Sequence, residues 1–328
     1  GRFGVPAFTP VLLNLVLISA ALWLAPHFDQ PVMALAVGVF VAGLVQLAFQ
    51  IPFLRALDLL PRPRWGWHHP GVNKILTLML PAILGSSVAQ INIIVDRIIA
   101  SFLVTGSISW LYYSDRLLEF PLGIFAIALS TVILPGLSRR HAEKTPQAFS
   151  ETLDWALRLV LLIALPAAVA LFVLAGPLVA TLFNYGEFAA AGNAEMTRLS
   201  VMADALGLVA FTLVKVLAPG YFARQDTKTP VKISIVSLLA NIVLNVLIVV
   251  PMLRAGVVGA HAGLALATAL AAMLNAGLLY RGLRRDGVYQ PVAGWGRLLV
   301  QAFAANACMA ALLVWLAGGL DGWLAVDA

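Results

Sequence analysis

Charge is scarce in this chain. Only 11% of its 328 residues are Asp, Glu, Lys or Arg, where a soluble domain carries about 25%. That shortfall excludes an ordinary water-soluble fold, and 61% hydrophobic residues stand in its place. Cysteine is nearly absent: a lone Cys308 within an apolar run rules out a disulfide framework and a thiolate metal site. Short segments alternating apolar and polar residues are missing too, which excludes a membrane β-barrel. There is no Walker-type glycine loop, no zinc-protease helix motif and no serine elbow. No connection between apolar runs is long enough to house a catalytic domain, so any chemistry belongs within the membrane. The chain opens on Gly1 with no signal peptide before its first apolar run, and so reads as a piece beginning inside a longer protein.

What is present is a succession of apolar runs of about 20 residues, the length that crosses a bilayer as a helix. The expected class is an all-α polytopic membrane protein with about nine spans. They fall near Val5–Ala25, Val32–Leu54, Val72–Leu103, Ser107–Leu137, Leu153–Leu174, Met196–Ala218, Pro230–Met252, Val257–Leu283 and Trp295–Leu316. Pro81, Pro121 and Pro166 lie inside spans, where neighbouring helices can satisfy the freed carbonyls and a kink is expected.

The net charge of +6 does not point to nucleic acid, because the basic residues collect in alternate connections. One set holds Arg55, Arg62, Arg64 and Lys74; Arg139, Arg140 and Lys144; Arg224, Lys228 and Lys232; and Arg281, Arg284, Arg285 and Arg297. The other offers Asp29, a neutral Thr105-Gly106 turn, Glu187 with Glu195, and Arg254. By the positive-inside rule the first set is cytoplasmic, which puts the N-terminus inside and the end of the ninth span outside. The Leu57–Gly71 connection, with Trp65 and Trp67 beside basic residues, is expected to lie at the interface. His68 and His69 there lack a nearby carboxylate and do not read as a metal pair.

Five ionisable residues fall inside two consecutive spans. A charge in hydrocarbon costs roughly 2.5–3.5 kcal/mol on insertion scales, so each needs a partner or a hydrated path. Asp96 and Arg97 precede the Gly106 turn by about ten residues, and Asp115 and Arg116 follow it by about ten. At 1.5 Å rise per residue an antiparallel pair sets both dipeptides roughly 13–15 Å below the outer end. Expected pairs are Asp96 with Arg116 and Arg97 with Asp115. Glu119 shares a face with Asp115 and Arg116. Ion pairs holding two helices in register and the lining of a hydrated cavity both fit this pattern; so many charges at one depth favour the cavity, because small residues would suffice for packing. Asn241 and Asn245, four apart, share a helix face and can bond a neighbouring helix or offer oxygens to a cation. Asp204 has no partner in local sequence. Lys215 and Arg158 lie near enough to a boundary to snorkel, and His261 is expected at the interface.

Trp110-Leu111-Tyr112-Tyr113-Ser114-Asp115-Arg116-Leu117-Leu118-Glu119-Phe120-Pro121-Leu122-Gly123, running on to Ile133-Leu134-Pro135, resembles the signature of the MurJ (MviN) family of bacterial lipid II flippases. The stretch from Lys215 through Pro219-Gly220-Tyr221 to Asp226, with Lys228-Thr229-Pro230-Val231-Lys232, is similar to the family's second characteristic segment. Gly4-Val5-Pro6-Ala7-Phe8-Thr9-Pro10 resembles the start of its fifth helix. The resemblance implies a fourteen-helix, two-lobe exporter fold of the multidrug/oligosaccharidyl-lipid/polysaccharide superfamily, from which this chain would lack the first four helices and the last. It implies a division into residues 1–55, the last two helices of the N-terminal lobe; 56–71, a cytoplasmic interfacial linker; 72–285, a six-helix C-terminal lobe; and 286–328, the first of two extra helices. The function implied is not enzymatic: transfer of lipid II, an undecaprenyl-pyrophosphate glycopeptide, to the outer leaflet of the bacterial inner membrane by alternating access, with membrane lipids as the other partners. The family's cavity arginine carries over to Arg116, with Asp115 and Glu119 beside it, and a guanidinium suits phosphate oxygens. No cofactor is implied beyond a monovalent cation in some members, for which Asp96, Asn241 and Asn245 are the candidates; Arg97 departs from the polar residue usual beside Asp96. Export of another polyprenyl-linked oligosaccharide or of cationic drugs is the alternative. An intramembrane enzyme acting on polyprenyl phosphates lacks the acidic motif that Mg²⁺-dependent chemistry needs.

Overall fold

The computed structural model describes residues 4–57, 66, 70–189, 192–318 and 322–323. The expected interfacial residues Trp65, Trp67, His68 and His69 lie outside them, as do the side chains of Lys74, Pro81 and Glu187. All regular structure among the described residues is helical, the outcome expected where the surrounding hydrocarbon offers no partner to an open backbone group. The helices are α1 (Gly4–Ser19), α2 (Pro31–Arg55), α3 (Pro70–Ser101), α4 (Ser107–Pro121), α5 (Ala128–Ala142), α6 (Pro146–Val173), α7 (Ala175–Phe183), α8 (Asn193–Phe222), α9 (Lys228–Arg254), α10 (Ala260–Arg285) and α11 (Trp295–Ala317).

Eight segments among the described residues are long and apolar enough to span a membrane. The remaining expected span, Val72–Leu103, coincides with α3. Expected and observed ends differ most at α6, which a polar first turn extends back to Pro146, and at the fourth span, which runs on to Ala142. Pro146 opens α6 and Pro31 opens α2, positions where the missing N–H and fixed φ favour initiation. After Pro121 the chain continues through a π-helical turn, Leu122–Ile127, into α5. A proline removes one ladder bond, and a wider turn redistributes those around it without ending the helix.

The chain divides into two compact units, Gly1–Asn73 and Lys74–Ala328. In the first, α1 and α2 pack as an antiparallel pair through Ala20, Ala34, Gly38 and Ala42. Gln46 donates to the Thr9 carbonyl at 3.1 Å, and Phe49 stacks against Phe8 and Phe53.

In the second unit α8 and α10 form the centre. Small residues let them approach: a Cβ on Gly207 would lie 2.8 Å from the Ala269 Cβ and 2.9 Å from its Cα. This is how helices associate in lipid, where burial against hydrocarbon gives little drive. One apolar cluster joins α5, α6, α8 and α10 through Leu137, Leu153, Leu217 and Leu283. A second joins α4, α6, α7 and α8, and a third sets Ala100 and Leu111 against Val249 and Leu264. The α3–α4 turn rests on Gly106, whose φ of +104° is left-handed and whose missing Cβ makes room for the Trp110 ring.

Candidate functional site

The α4 sequence sorts its residues by face. Trp110, Leu111, Ser114, Leu117, Leu118 and Pro121 are buried, a spacing of three and four that marks one side of a helix. Tyr112, Arg116, Glu119 and Phe120 stand on the opposite side, exposed. Arg116 lies ten residues past Gly106, well inside the span, yet its side chain is 51% exposed and that of Glu119 59%. Arg116 Nη1 donates to Glu119 Oε2 at 2.7 Å, and its guanidinium sits 4.7 Å from the centre of the Tyr112 ring.

Of the two expected cross-hairpin pairs, one forms. Arg97 Nη2 donates to Asp115 Oδ2 while Arg97 Nη1 reaches the Ile108 carbonyl at 3.1 Å. The other, Asp96 with Arg116, is not made. Arg116 is engaged by its own helix neighbour Glu119, and Asp96 is turned toward α9 and α10. There Asp96 accepts from Asn245 at 2.7 Å, from Thr268 at 3.0 Å and from Asn92 at 3.1 Å. Asn245 also donates to Asn241 at 2.9 Å. The Asn241 amide satisfies its surroundings better with oxygen and nitrogen exchanged, donating to Asp96 and Asn92 at 3.2 Å each, an orientation that replaces the bond from Asn245. Asn245 Oδ1 is buried and has no hydrogen-bond partner. Thus Asp96, Asn241 and Asn245 do converge, joined by Asn92 and Thr268, which sequence reasoning missed. The signal was available for Thr268 only with the helix pairing known, since it lies 172 residues from Asp96.

Asp204 has a partner after all: the Ser114 hydroxyl of α4 donates to its buried carboxylate. Asp96, Arg97, Asp115 and Asp204 line a common cavity of about 90 Å³ with Leu111, Leu264 and Thr268. Arg116 and Glu119 are not among its lining residues. The charges read as one cluster are therefore two: a small, half-open cavity held by Arg97 and Asp115, and an exposed pair on the outer face of α4. His261, expected at the interface, is buried instead; its Nε2 lies 2.9 Å from the Met196 carbonyl and its ring 4.7 Å from that of Trp110.

A further polar centre escaped the sequence entirely. Asp154 Oδ1 accepts from the Tyr289 hydroxyl at 2.7 Å, the Trp295 indole at 2.7 Å and the Val292 N–H at 3.1 Å, while Oδ2 accepts from Arg158 at 2.6 Å. Arg158 also donates to the Val292 and Ala293 carbonyls. Arg158 is a tether, not a snorkelling side chain, and the group ties α6 to the segment leading into α11. Burial and the Asp154 carboxylate hold the Tyr289 phenol well above its ordinary pKa, so it stays a donor.

A family model described as "Lipid II flippase MurJ" matches residues 1–326. The chain belongs to the MurJ family. Its similarity to curated MurJ proteins is high. It is 49% identical over 324 residues to the "Probable lipid II flippase MurJ" of Vibrio cholerae, covering 99% of this chain and 60% of the relative. To the "Lipid II flippase MurJ" of Burkholderia cenocepacia it is 44% identical over 323 residues, covering 97% and 61%. The chain thus spans about three-fifths of the length of these MurJ relatives. The expectation that four N-terminal helices and a last helix are lacking gives way to these extents: the MurJ match runs from residue 1 to residue 326, and similarity to a relative covers 99% of the chain.

Among solved structures, "Lipid II flippase MurJ, inward closed conformation" superposes with a TM-score of 0.74 at 24% identity, over 98% of this chain and 64% of that one. A Vibrio cholerae MATE transporter does so at 0.65 and 16% identity, over 87% and 64%. These two likenesses speak for the fold alone, an all-helical membrane fold of the MurJ kind.

Proposed function

We propose that this MurJ-family chain moves lipid II, a polyprenyl-pyrophosphate glycopeptide, from the inner to the outer leaflet of the bacterial inner membrane by alternating access, and is a transporter, not an enzyme. The observation that carries this reading is Arg116: a guanidinium inside a span, half exposed, with one carboxylate partner. Lipid cannot solvate such a group, so its face is turned to water or to a polar ligand. Glu119 and Tyr112 hold the guanidinium while leaving N–H donors free, and a pyrophosphate can take these in pairs. Asp115 is committed to Arg97 and acts by neutralising it, and Glu119 orients Arg116. The names of the relatives supply the substrate. On this reading residues 72–285 form one lobe of a rocking pair, 1–55 belong to the other, 56–71 link them, and 286–328 add a helix beside the lobe. The basic connections, and the N-terminus, face the cytoplasm.

Arg116→Ala at the native locus is expected to abolish growth when no other flippase is present, and Arg116→Lys to restore it only in part, since an ammonium cannot make the paired contact. Normal growth of Arg116→Ala at equal protein level would overturn the assignment.

Asp96, Asn241 and Asn245 also form a proposed site for a monovalent cation. The fit is chemical: the Asp96 carboxylate and the Thr268 hydroxyl supply hard oxygen donors, Asn241 holds Asp96 through its amide nitrogen, and the unpartnered Asn245 Oδ1 is an acceptor awaiting a positive ligand. Sodium in place of choline is expected to raise the unfolding midpoint of the purified protein, and Asp96→Asn to remove that increment. An increment unchanged in Asp96→Asn would exclude the site.

A further inference from the structure

Three turns of the second unit converge at the basic end of its helices. The α5–α6 turn, the α8–α9 turn and the exit of α10 enclose a cavity of about 250 Å³ lined by Arg140, His141, Lys144, Phe149, Arg224 and Asp286, among others. Three permanent cations face one carboxylate there, and that carboxylate has a neighbour of its own, Arg285, at 3.5 Å. Glu143, at the rim, is taken by Arg139 at 2.8 Å and lies 3.5 Å from Arg140. Asp226 is turned away to accept from the Thr229 N–H at the start of α9. Burial works to raise the Asp226 pKa, but this bond and those from neighbouring N–H groups bring it below the ordinary carboxylate value.

Basic residues at helix C-termini are ordinarily explained by the helix dipole, and basic turns by membrane orientation. Three observations go beyond that. First, Arg224 Nη1 is buried without any hydrogen-bond partner; a buried charged donor lacking an acceptor is costly and rare. Second, the first turn of the 28-residue α6 opens beside the cavity uncapped: Thr145 makes no side-chain capping bond and Pro146 has no N–H. The Gln147 and Ala148 N–H groups, having no acceptor within the helix, form the kind of terminus that receives anions. Third, Lys144 and Gln225 are the only non-glycine residues with left-handed φ among those described, at +53° and +62°; Lys144 lines this cavity, and Gln225 follows Arg224, which does. Glycine would relax either position; at residue 144 the chain keeps an ammonium group instead.

We propose that this cavity binds a phosphate group, with the Arg224 guanidinium and the Lys144 ammonium as its charged donors and the α6 N-terminus completing the set. Its volume lies below the ~300–1,000 Å³ of sites for drug-sized ligands. It therefore suits a phosphate monoester or diester with a few attached atoms and not a nucleotide. Standing where α5, α8 and α10 end and α6 and α9 begin, it can take that phosphate from an anionic phospholipid headgroup or from solution. The site is separate from Arg116 and does not depend on the transport reading.

The test is thermal unfolding of the purified chain with inorganic phosphate against chloride at matched ionic strength, and with phosphatidylglycerol against phosphatidylcholine in mixed micelles. A phosphate-dependent rise in midpoint is expected, from phosphate alone if the source is soluble and from phosphatidylglycerol alone if it is a headgroup. Lys144→Gly and Arg224→Gln should each weaken the apparent affinity about tenfold or more, the scale of one lost charge-assisted hydrogen bond. Lys144→Gly relieves the left-handed backbone and should fold at least as well as the parent without ligand, so it decides the matter even if Arg224→Gln fails to fold. No rise with either probe, or a rise that survives Lys144→Gly, overturns the proposal.

Discussion

Asp154 gathers four hydrogen bonds on one carboxylate, from two aromatic side chains, one backbone N–H and one arginine. Removing it leaves Arg158, Tyr289 and Trp295 without their shared acceptor, and breaking a buried charge pair costs about 3–5 kcal/mol. Asp154→Ala is therefore expected to lower unfolding stability by that order, and Tyr289→Phe by about 1 kcal/mol, the net worth of one hydrogen bond. Denaturant titration in detergent checks both, and equal losses for the two variants would show that the network is not organised around the carboxylate. None of this was legible in the sequence, because Tyr289 and Trp295 lie 135 and 141 residues beyond Asp154. The Arg97–Asp115 pair was legible, being fixed by rise per residue across a short hairpin. Arg116 was misassigned to Asp96 by the same arithmetic, which gives depth but not rotation: the α4 face that carries Arg116 is set by the buried run from Trp110 to Pro121.

At the scale of elements, the turns carry the information about direction. Arg139, Arg140 and Lys144 close α5, Arg224 and Lys228 bridge α8 to α9, and Arg281, Arg284 and Arg285 end α10. The opposite turns hold the neutral Thr105-Gly106 pair and a Glu195 engaged by Arg198 at 2.7 Å. With Cys308→Ala as background, Ala142→Cys is expected to resist a membrane-impermeant maleimide in spheroplasts and to react after permeabilisation. Thr105→Cys should react in both; the reverse pattern would invert the proposed orientation. Spans were legible because a run of about 20 apolar residues has few alternatives. Their ends were not, since polar first turns such as Thr145–Ser150 read as loop until the helix behind them is seen. The π-turn after Pro121 and the Gly207–Ala269 approach likewise depend on a neighbour that sequence does not name.

The molecule comprises two compact helical units, the second built on α8 and α10 and bearing, among the described residues, the cavity at Asp96, Arg97, Asp115 and Asp204, the outer α4 face at Arg116, the Asp154 tether and the basic cavity at Arg140, Lys144 and Arg224. Arg116 combines a permanent positive charge, a position ten residues inside a span and a half-exposed side chain. Its role is the central claim. The most direct measurement is the rate at which a polyprenyl-pyrophosphate glycopeptide crosses liposomes containing the protein purified from its own host, with and without Arg116→Ala. The parent is expected to move the headgroup across the bilayer, with Arg116→Ala slowed at least tenfold at equal reconstitution; equal rates in the two would contradict the assignment.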